Sequence, residues 1–238
     1  MRKVFITFII ALTSMLSING DIIKSDLAAK SISYISNDEE ESLPEGVYPV
    51  EYIGQKDNRQ YVNTYIIPPQ GCVLRCEFKF TKLIDQLNII GINYNGFGFG
   101  ISGGIFKANC FDYITLKSTS DSEWHTWTID EINMVASIDN TSVSISRRHS
   151  AFSSDWDGSL GFSLFRRVRA ANGYSDGPCN GAMCKSLYIG TSQGALFDGI
   201  AVRFVNQQGN DEGALFDKVS RQLFRNNGSG SLEIGPDL

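Results

Sequence analysis

Short segments with β-type sequence recur from residue 47 to the end of the chain, and this recurrence constrains the fold most strongly. Each segment alternates apolar and polar residues or is rich in β-branched and aromatic residues, and Gly, Asn, Asp or Ser separates it from the next. No sustained helical periodicity interrupts the series. About a dozen short strands without crossover helices predict an all-β fold, an antiparallel β-sandwich of two sheets. The predicted strands are 61–67, 73–80, 89–94, 97–101, 113–117, 125–130, 134–138, 142–146, 161–165, 185–189, 200–206 and 214–216.

The N-terminus has the three-part pattern of a secretory signal peptide. Residues 1–3 give a positive start, residues 4–18 are apolar apart from threonine and serine, and residues 19–21 are small or polar. The apolar segment is shorter than the roughly 20 residues that a transmembrane helix needs. We therefore expect a signal peptide over residues 1–20, with export to the periplasm, the cell surface or the medium and no membrane span after cleavage. An uncleaved anchor helix is the alternative.

Residues 21–46 are polar and acidic and show no clear periodicity, so we expect them to form an N-terminal arm of the mature protein. No repeat and no second change of composition follows. Residues 47–238 are therefore expected to form one β-sandwich domain. The formal net charge of -5 gives no reason to expect nucleic acid as a partner, because phosphates bind clustered Lys and Arg.

The cysteines have to be interpreted for an oxidising compartment, in which disulfides persist. Cys72 and Cys76 lie on one face of a predicted strand, about 13 Å apart at the usual rise per residue, so they cannot pair and are expected to fill the core. Cys179 and Cys184 flank the flexible stretch Asn-Gly-Ala-Met and could close a small disulfide loop. Cys110 is left without a partner.

A metal centre or other cofactor is not expected from the sequence. There is no C-x-x-C pair, and the only histidines are His125 and His149, so the usual spacing of zinc ligands is missing. Calcium has no recognisable motif either, although acidic loop residues could help to hold it.

Two glycine-rich stretches match catalytic motifs without their structural context. Residues 98–103 fit G-x-G-x-x-G, but another strand-like run follows where the nucleotide-binding motif needs a helix. Residues 190–194 fit G-x-S-x-G, but both histidines precede Ser192, whereas the hydrolase order places the histidine after the serine. We interpret the first stretch as a strand that ends in a turn and the second as a loop of small residues.

Two acidic pairs could be taken for the carboxylates of a glycosidase, which lie about 5–9 Å apart. Asp130 and Glu131 are adjacent and would point to opposite faces of a strand, and Asp121 and Glu123 lie in a polar turn. We interpret both pairs as solvated turn charges. His125, at the entrance of a predicted strand, is interpreted as a packed and hydrogen-bonded ring. No catalytic residue is assigned.

The best candidate for ligand binding is a loop in which Trp156 lies between Asp155 and Asp157. An indole ring can stack on a pyranose face, and the two acids can accept hydrogen bonds from hydroxyl groups or help to hold Ca²⁺. The alternative is a turn whose tryptophan covers the end of the sandwich. Tyr94, in the stretch Asn-Tyr-Asn-Gly, is a weaker candidate of the same kind.

Motifs at both ends of the predicted domain resemble those of a known family. Residues 60–64 have the sequence QYVNT, and residues 213–226 have the sequence GALFDKVSRQLFRN, with GSG at 228–230. The WHT at 124–126 and the IDN at 138–140 fit a central strand pair. Together they resemble the laminin-G-like, concanavalin A-like lectin domains of exported Bacteroidetes proteins.

The resemblance spans about residues 48–238 and implies a jelly-roll sandwich. The chain departs from the family pattern at Asn63, where Asp is usual, at Tyr65, where Gly is usual, and in a longer segment at 166–185. The matching residues are of structural type, so no functional position is transferred from the family.

The superfamily includes lectins, adhesion modules and glycan-degrading enzymes, and a shared fold does not choose among them. We expect a secreted or cell-surface, non-catalytic module that binds carbohydrate. The first alternative is an interaction or adhesion domain that binds a protein of the cell envelope. The second is a glycoside hydrolase.

Overall fold

Every regular element in the described part of the chain is a β-strand, as the sequence predicts. The computed structural model describes residues 42–57, 59–81, 90–93, 97–110, 112–117, 121–149, 161–169, 175–176 and 181–238. The strands are β1 (Val47–Pro49), β2 (Ile53–Gly54), β3 (Val62–Asn63), β4 (Val73–Phe80), β5 (Ile90–Asn93), β6 (Phe97–Ser102), β7 (Ile105–Cys110), β8 (Asp112–Lys117), β9 (His125–Asp130), β10 (Val135–Ile138), β11 (Thr141–Ser144), β12 (Ser163–Leu164), β13 (Arg167–Arg169), β14 (Ser175–Asp176), β15 (Ala182–Thr191), β16 (Gly194–Val205), β17 (Asp211–Asp217), β18 (Gln222–Arg225) and β19 (Glu233–Ile234). Residues Leu43–Leu238 form one compact unit.

The strands form two sheets. The larger has the order β11-β10-β9-β4-β15-β16-β17-β18, with β1 paired to β16 and β2 paired to both β15 and β19. The smaller has the order β14-β13-β5-β6-β7-β8, with β12 between β3 and β5. The pairs are antiparallel, except that β13 runs parallel to β5. No helix in the described ranges is both long and apolar enough to cross a lipid bilayer.

The two sheets share one hydrophobic core, which gives the fold its sandwich-like character. Strand β4 alternates as predicted: Leu74, Cys76, Phe78 and Phe80 are buried, whereas Arg75 is exposed. The two predicted core cysteines, Cys72 and Cys76, are both fully buried. Across the core, the ring of Trp127 in β9 contacts Phe99 and Phe106 of the smaller sheet, each with a centroid distance of 5.1 Å.

The first glycine-rich stretch behaves as the sequence indicates, whereas the second is a loop only at residues 192–193 and otherwise belongs to two paired strands. Strand β6 ends at Ser102, and the turn at Gly103 and Gly104 leads directly into β7. Residues 190–194 lie at the hairpin between β15 and β16, where Thr191 pairs with Gly194. Neither stretch begins a helix, so neither has the context that phosphate binding or a nucleophile elbow requires.

The predicted strand at 61–67 is only partly formed. Regular pairing is limited to β3, because Tyr65 has a φ of 57°, in the left-handed region that β-strands do not use. The side-chain Oδ1 of Asn63 accepts a hydrogen bond from the Tyr65 N–H at 2.9 Å and fixes this local turn. Beyond β3 the pairing is irregular: the Thr64 N–H donates to the Phe162 carbonyl, the Ile66 carbonyl accepts from the Phe162 N–H, and the Tyr65 side chain between them is 57% exposed.

A second, smaller apolar cluster covers the outer face of β16 and β17. Its buried members are Val202, Phe204, Ala214 and Phe216. Leu43, Val47, Ile200 and Leu223 pack against it. Because Leu43 contributes, the packed part of the chain begins slightly before the predicted domain start at residue 47.

Candidate functional site

The ligand-binding residues predicted from the sequence do not fall within the described part of the chain. Asp155, Trp156 and Asp157 lie outside it, as does Tyr94, so their role in binding stays a prediction. Cys179 also lies outside the described residues, and its pairing with Cys184 stays a prediction. Cys184 itself is buried in β15, with its Sγ 3.4 Å from the main-chain oxygen of Ser186.

A groove opens to solvent beside the hairpin of β17 and β18. We call it the Tyr65 groove, and its volume is about 260 Å³. It is lined by Asn63, Tyr65, Gln222, Leu223, Phe224, Arg225 and Asn227. The lining combines one exposed aromatic side chain with amide side chains, which are groups that hold hydroxyl-rich ligands.

Two consecutive asparagines fix the loop beside the Tyr65 groove, and the second of them, Asn227, lines it. The Oδ1 of Asn226 accepts a hydrogen bond from the N–H of Tyr61 at 3.1 Å. The Oδ1 of Asn227 accepts one from the N–H of Asn63 at 2.8 Å, and its Nδ2 donates to the Tyr65 hydroxyl at 3.0 Å. The main-chain N–H of Asn227 also donates to the carbonyl of Tyr61 at 2.8 Å. The groove is therefore held open by hydrogen bonds before any ligand arrives.

Close backbone approach at two glycines completes the Tyr65 groove. A Cβ atom at Gly161 would overlap the backbone of Tyr65 and Ile66, and one at Gly228 would overlap the carbonyl of Arg59. Both segments therefore pack on bare glycine, which positions the Tyr65 turn and the 226–230 loop against their neighbours. Gly228, the first residue of the GSG in the C-terminal motif, is therefore required, because a side chain there would overlap the Arg59 carbonyl.

A second set of polar groups, the hairpin cluster, joins the start of β9 to the turn between β10 and β11. The ring of His125 is buried, with its Nδ1 2.6 Å from Asp139 Oδ2 and its Nε2 2.6 Å from Asp121 Oδ1. Lys117 forms an ion pair with the other oxygen of Asp121. His125 is thus packed and hydrogen-bonded, as the sequence suggests, but Asp121 is its partner and not a freely solvated turn charge.

The contacts in the hairpin cluster make Asp121 a stronger acid. Burial by itself would raise the pKa of this carboxyl, but the hydrogen bonds from Lys117 and His125 outweigh it and hold the pKa well below the ordinary value of 3.8. A carboxyl whose pKa is lowered on folding stabilises the folded state above its ordinary pKa. That stabilisation disappears as the pH falls through the folded-state value.

We expect Asp121→Asn to reduce the acid sensitivity of the fold. At pH 7 the variant should be less stable by no more than about 1 kcal/mol, because the side chain is more than one-third exposed and solvent screens its ion pairs. Below pH 3.8 the difference should shrink, since Asp121 of the unfolded wild-type chain binds a proton there, and it should vanish once the pH falls below the lower folded-state pKa. Urea unfolding at several pH values measures this. Glu123→Gln, in the same turn, is the control, and an equal change in both variants would contradict the prediction.

A third set of polar side chains, the buried cluster, consists of Cys72, Cys110, Glu131 and His149. All four are fully buried, and Glu131 is 0% exposed. The interpretation of Glu131 as a solvated turn charge is therefore wrong. Its carboxylate accepts hydrogen bonds from the N–H of His149 at 2.6 Å and the N–H of Gly71 at 2.7 Å. It also contacts His149 Nδ1 at 2.6 Å and the Cys110 thiol at 3.0 Å.

The environment of the buried cluster sets the charge of its members. Burial, reinforced by the charge of Glu131, raises the pKa of the Cys72 thiol to about 12. Burial and the hydrogen bond to Glu131 also raise the pKa of Cys110. Burial would raise the pKa of Glu131 too, but the hydrogen bonds from His149 and Cys110 outweigh it, so that pKa falls below 4.5. The thiols are therefore protonated at neutral pH and are not activated nucleophiles.

Sequence reasoning missed the buried cluster because its members are far apart along the chain. They bring together two thiols, a carboxylate and an imidazole, all of which are side chains that bind transition metals. The ligand atoms of Cys72, Glu131 and His149 lie within 4.8 Å of one another. Two features of the sequence were weak indications of this cluster: Cys110 has no assigned disulfide partner, and histidines are few in this chain.

The Tyr65 groove, the hairpin cluster and the buried cluster are the features of the described residues from which a function can be inferred. The groove is open to solvent, the hairpin cluster ties a turn together, and the buried cluster is enclosed. Protein-family models, characterised proteins and solved structures were compared with this chain, and none of them matches it.

Proposed function

We propose that this chain is an exported, non-catalytic module that binds carbohydrate in the Tyr65 groove. The proposal includes a jelly-roll sandwich of the concanavalin A-like, laminin-G-like type, which agrees with the two antiparallel sheets and their shared core. The observation that carries it is the exposed Tyr65 ring, held beside amide groups by a preformed hydrogen-bond network. An aromatic face with adjacent amides matches a sugar, which has C–H groups on one face and hydroxyl groups at its edge.

The lining of the Tyr65 groove supports binding more than hydrolysis. Its described residues include amides and one arginine but no carboxylate, whereas glycosidases commonly use two carboxyl groups across the scissile bond. The guanidinium of Arg225 lies 4.3 Å from the centre of the Phe204 ring and is therefore held over the outer apolar cluster of β16 and β17.

Tyr65→Gly is expected to weaken glycan binding by about tenfold, because an aromatic contact contributes about 0.5–1.5 kcal/mol beyond the area that it buries. Glycine accepts the φ of 57° at this position without strain, so the variant should fold normally. Glycan-array screening of the wild type identifies a ligand, and titration calorimetry then compares the affinities.

Tyr48→Ala is the matched control, since Tyr48 is also an exposed tyrosine but lies in β1, outside the groove. Equal losses in Tyr65→Gly and Tyr48→Ala would place the binding surface elsewhere. Absence of binding by the wild type to any common polysaccharide would contradict the proposed function itself. Binding retained by Tyr65→Gly but lost by Trp156→Ala would favour the loop at 155–157.

A further inference from the structure

We propose that Cys72, Cys110, Glu131 and His149 form a structural binding site for one transition-metal ion, with zinc as the best match. This site is independent of the Tyr65 groove and does not depend on the proposed function. Its donor set of two sulfurs, one imidazole nitrogen and one carboxylate oxygen has the number and type of ligands that tetrahedral zinc accepts.

The fold brings the four side chains together from four segments. Cys72 immediately precedes β4 and Glu131 immediately follows β9, and these two strands are neighbours in the larger sheet. Cys110 is the last residue of β7 in the smaller sheet, and His149 lies beyond the end of β11. A metal at this point would join both sheets at one end of the core. Sites closed on all sides in this way are structural and not catalytic.

The distances among three of the four ligands are close to those of a formed site, whereas Cys110 Sγ lies outside this set of three and would have to shift toward the ion. Around a tetrahedral zinc with bonds of about 2.0–2.3 Å, neighbouring ligand atoms are separated by about 3.3–3.8 Å. The ligand atoms of Cys72, Glu131 and His149 already lie within 4.8 Å of one another, and Cys110 Sγ is 3.0 Å from Glu131 Oε1. The shortest contact, 2.6 Å between Glu131 Oε1 and His149 Nδ1, would open by less than about 1 Å.

The surroundings supply outer contacts of the kind that metal sites use. The Nε2 of His149 lies 3.3 Å from the carbonyl oxygen of Pro68, so an N–H there fixes the ring and leaves Nδ1 for the metal. The Nδ1 proton and the two thiol protons would be released to solvent on binding, and four metal–ligand bonds would form. Arg148 donates from Nε to the main-chain oxygen of Glu131 at 3.1 Å and places a positive charge beside the anionic ligands.

Cobalt substitution tests this proposal directly on the full chain. After removal of metals with a chelator, one equivalent of Co²⁺ should produce a sulfur-to-cobalt charge-transfer absorption, and Zn²⁺ should abolish it. Cys110→Ser should weaken cobalt binding by more than about tenfold. Removal of an outer contact of a metal ligand already costs at least about tenfold in affinity, and removal of a ligand itself should cost more. Cys76→Ser is the matched control, because Cys76 is an equally buried thiol outside the cluster, and it should bind cobalt like the wild type.

Two results would overturn the metal site. One is a folded wild-type protein that shows no thiolate–cobalt band at any Co²⁺ concentration. The other is a mass lower by two hydrogen atoms, with Cys72 and Cys110 joined in a disulfide. If Cys110→Ser fails to fold, the wild-type spectrum still decides, and Cys72→Ser provides a second ligand variant. A band lost in Cys76→Ser but kept in both ligand variants would also refute the assignment.

Discussion

Glu131→Ala should lower the free energy of unfolding of the metal-free protein by about 3–5 kcal/mol, as expected when a buried carboxylate that accepts several hydrogen bonds is removed. The Glu131 carboxylate is fully buried and accepts from the main-chain N–H groups of Gly71 and His149. Alanine leaves these donors and the His149 ring without that acceptor, in a place with little access to water. Guanidinium-induced unfolding in the presence of a chelator measures the loss.

Asp130→Ala is the control for the Glu131 prediction. Asp130 is the adjacent residue in the chain, but its partly exposed carboxylate caps the turn, by accepting from the N–H groups of Ile132 and Asn133 at 2.9 Å each and from the Asn133 side chain at 2.7 Å. Loss of such a cap costs about 1 kcal/mol. Similar losses in both variants would mean that Glu131 is a turn residue, as its sequence context first suggests, and that the buried cluster is not a rigid part of the core.

The sequence predicts the strands best where one face of a strand is buried and the other is not. Strands β4 and β9 have the bounds that their alternation predicts, because a shift by one residue would turn Phe78 and Trp127 away from the core. The predicted strand at 61–67 is shortened because the Asn63 side chain forms a local turn that competes with sheet pairing. Apolar content alone does not reveal this competition.

The candidate sites are harder to predict from the sequence than the strands are, and the reason is different. The Tyr65 groove depends on the fit of the 226–230 loop against Arg59, and the buried cluster depends on how β7 lies across β4 and β9. Both are properties of sheet register and packing, which link residues far apart in the chain. Asn63 and Tyr65 are visible in the sequence as departures from the motif of the lectin-like domains that it resembles, but only their position in the groove suggests a role in binding.

Trp127→Ala is expected to cost about 3–5 kcal/mol of unfolding free energy, since it removes the largest side chain at the centre of the shared core. The Trp127 ring lies 5.1 Å from both Phe99 and Phe106 and 6.0 Å from Phe80, measured between ring centroids. These rings come from both sheets, so the cavity left by alanine would lie between the layers, where relaxation is limited. Urea unfolding followed by circular dichroism measures the change.

Two further variants separate burial of the Trp127 ring from other properties of tryptophan. Trp124→Ala removes a half-buried tryptophan three residues earlier, which lies 4.3 Å from the Lys185 ammonium group, and should cost only about 1 kcal/mol. Trp127→Phe should cost about 1–2 kcal/mol, because most ring contacts remain and the lost indole N–H has no acceptor among the described residues. If Trp127→Ala costs no more than Trp124→Ala, the two sheets do not pack through this ring, and the sandwich-like core is wrong.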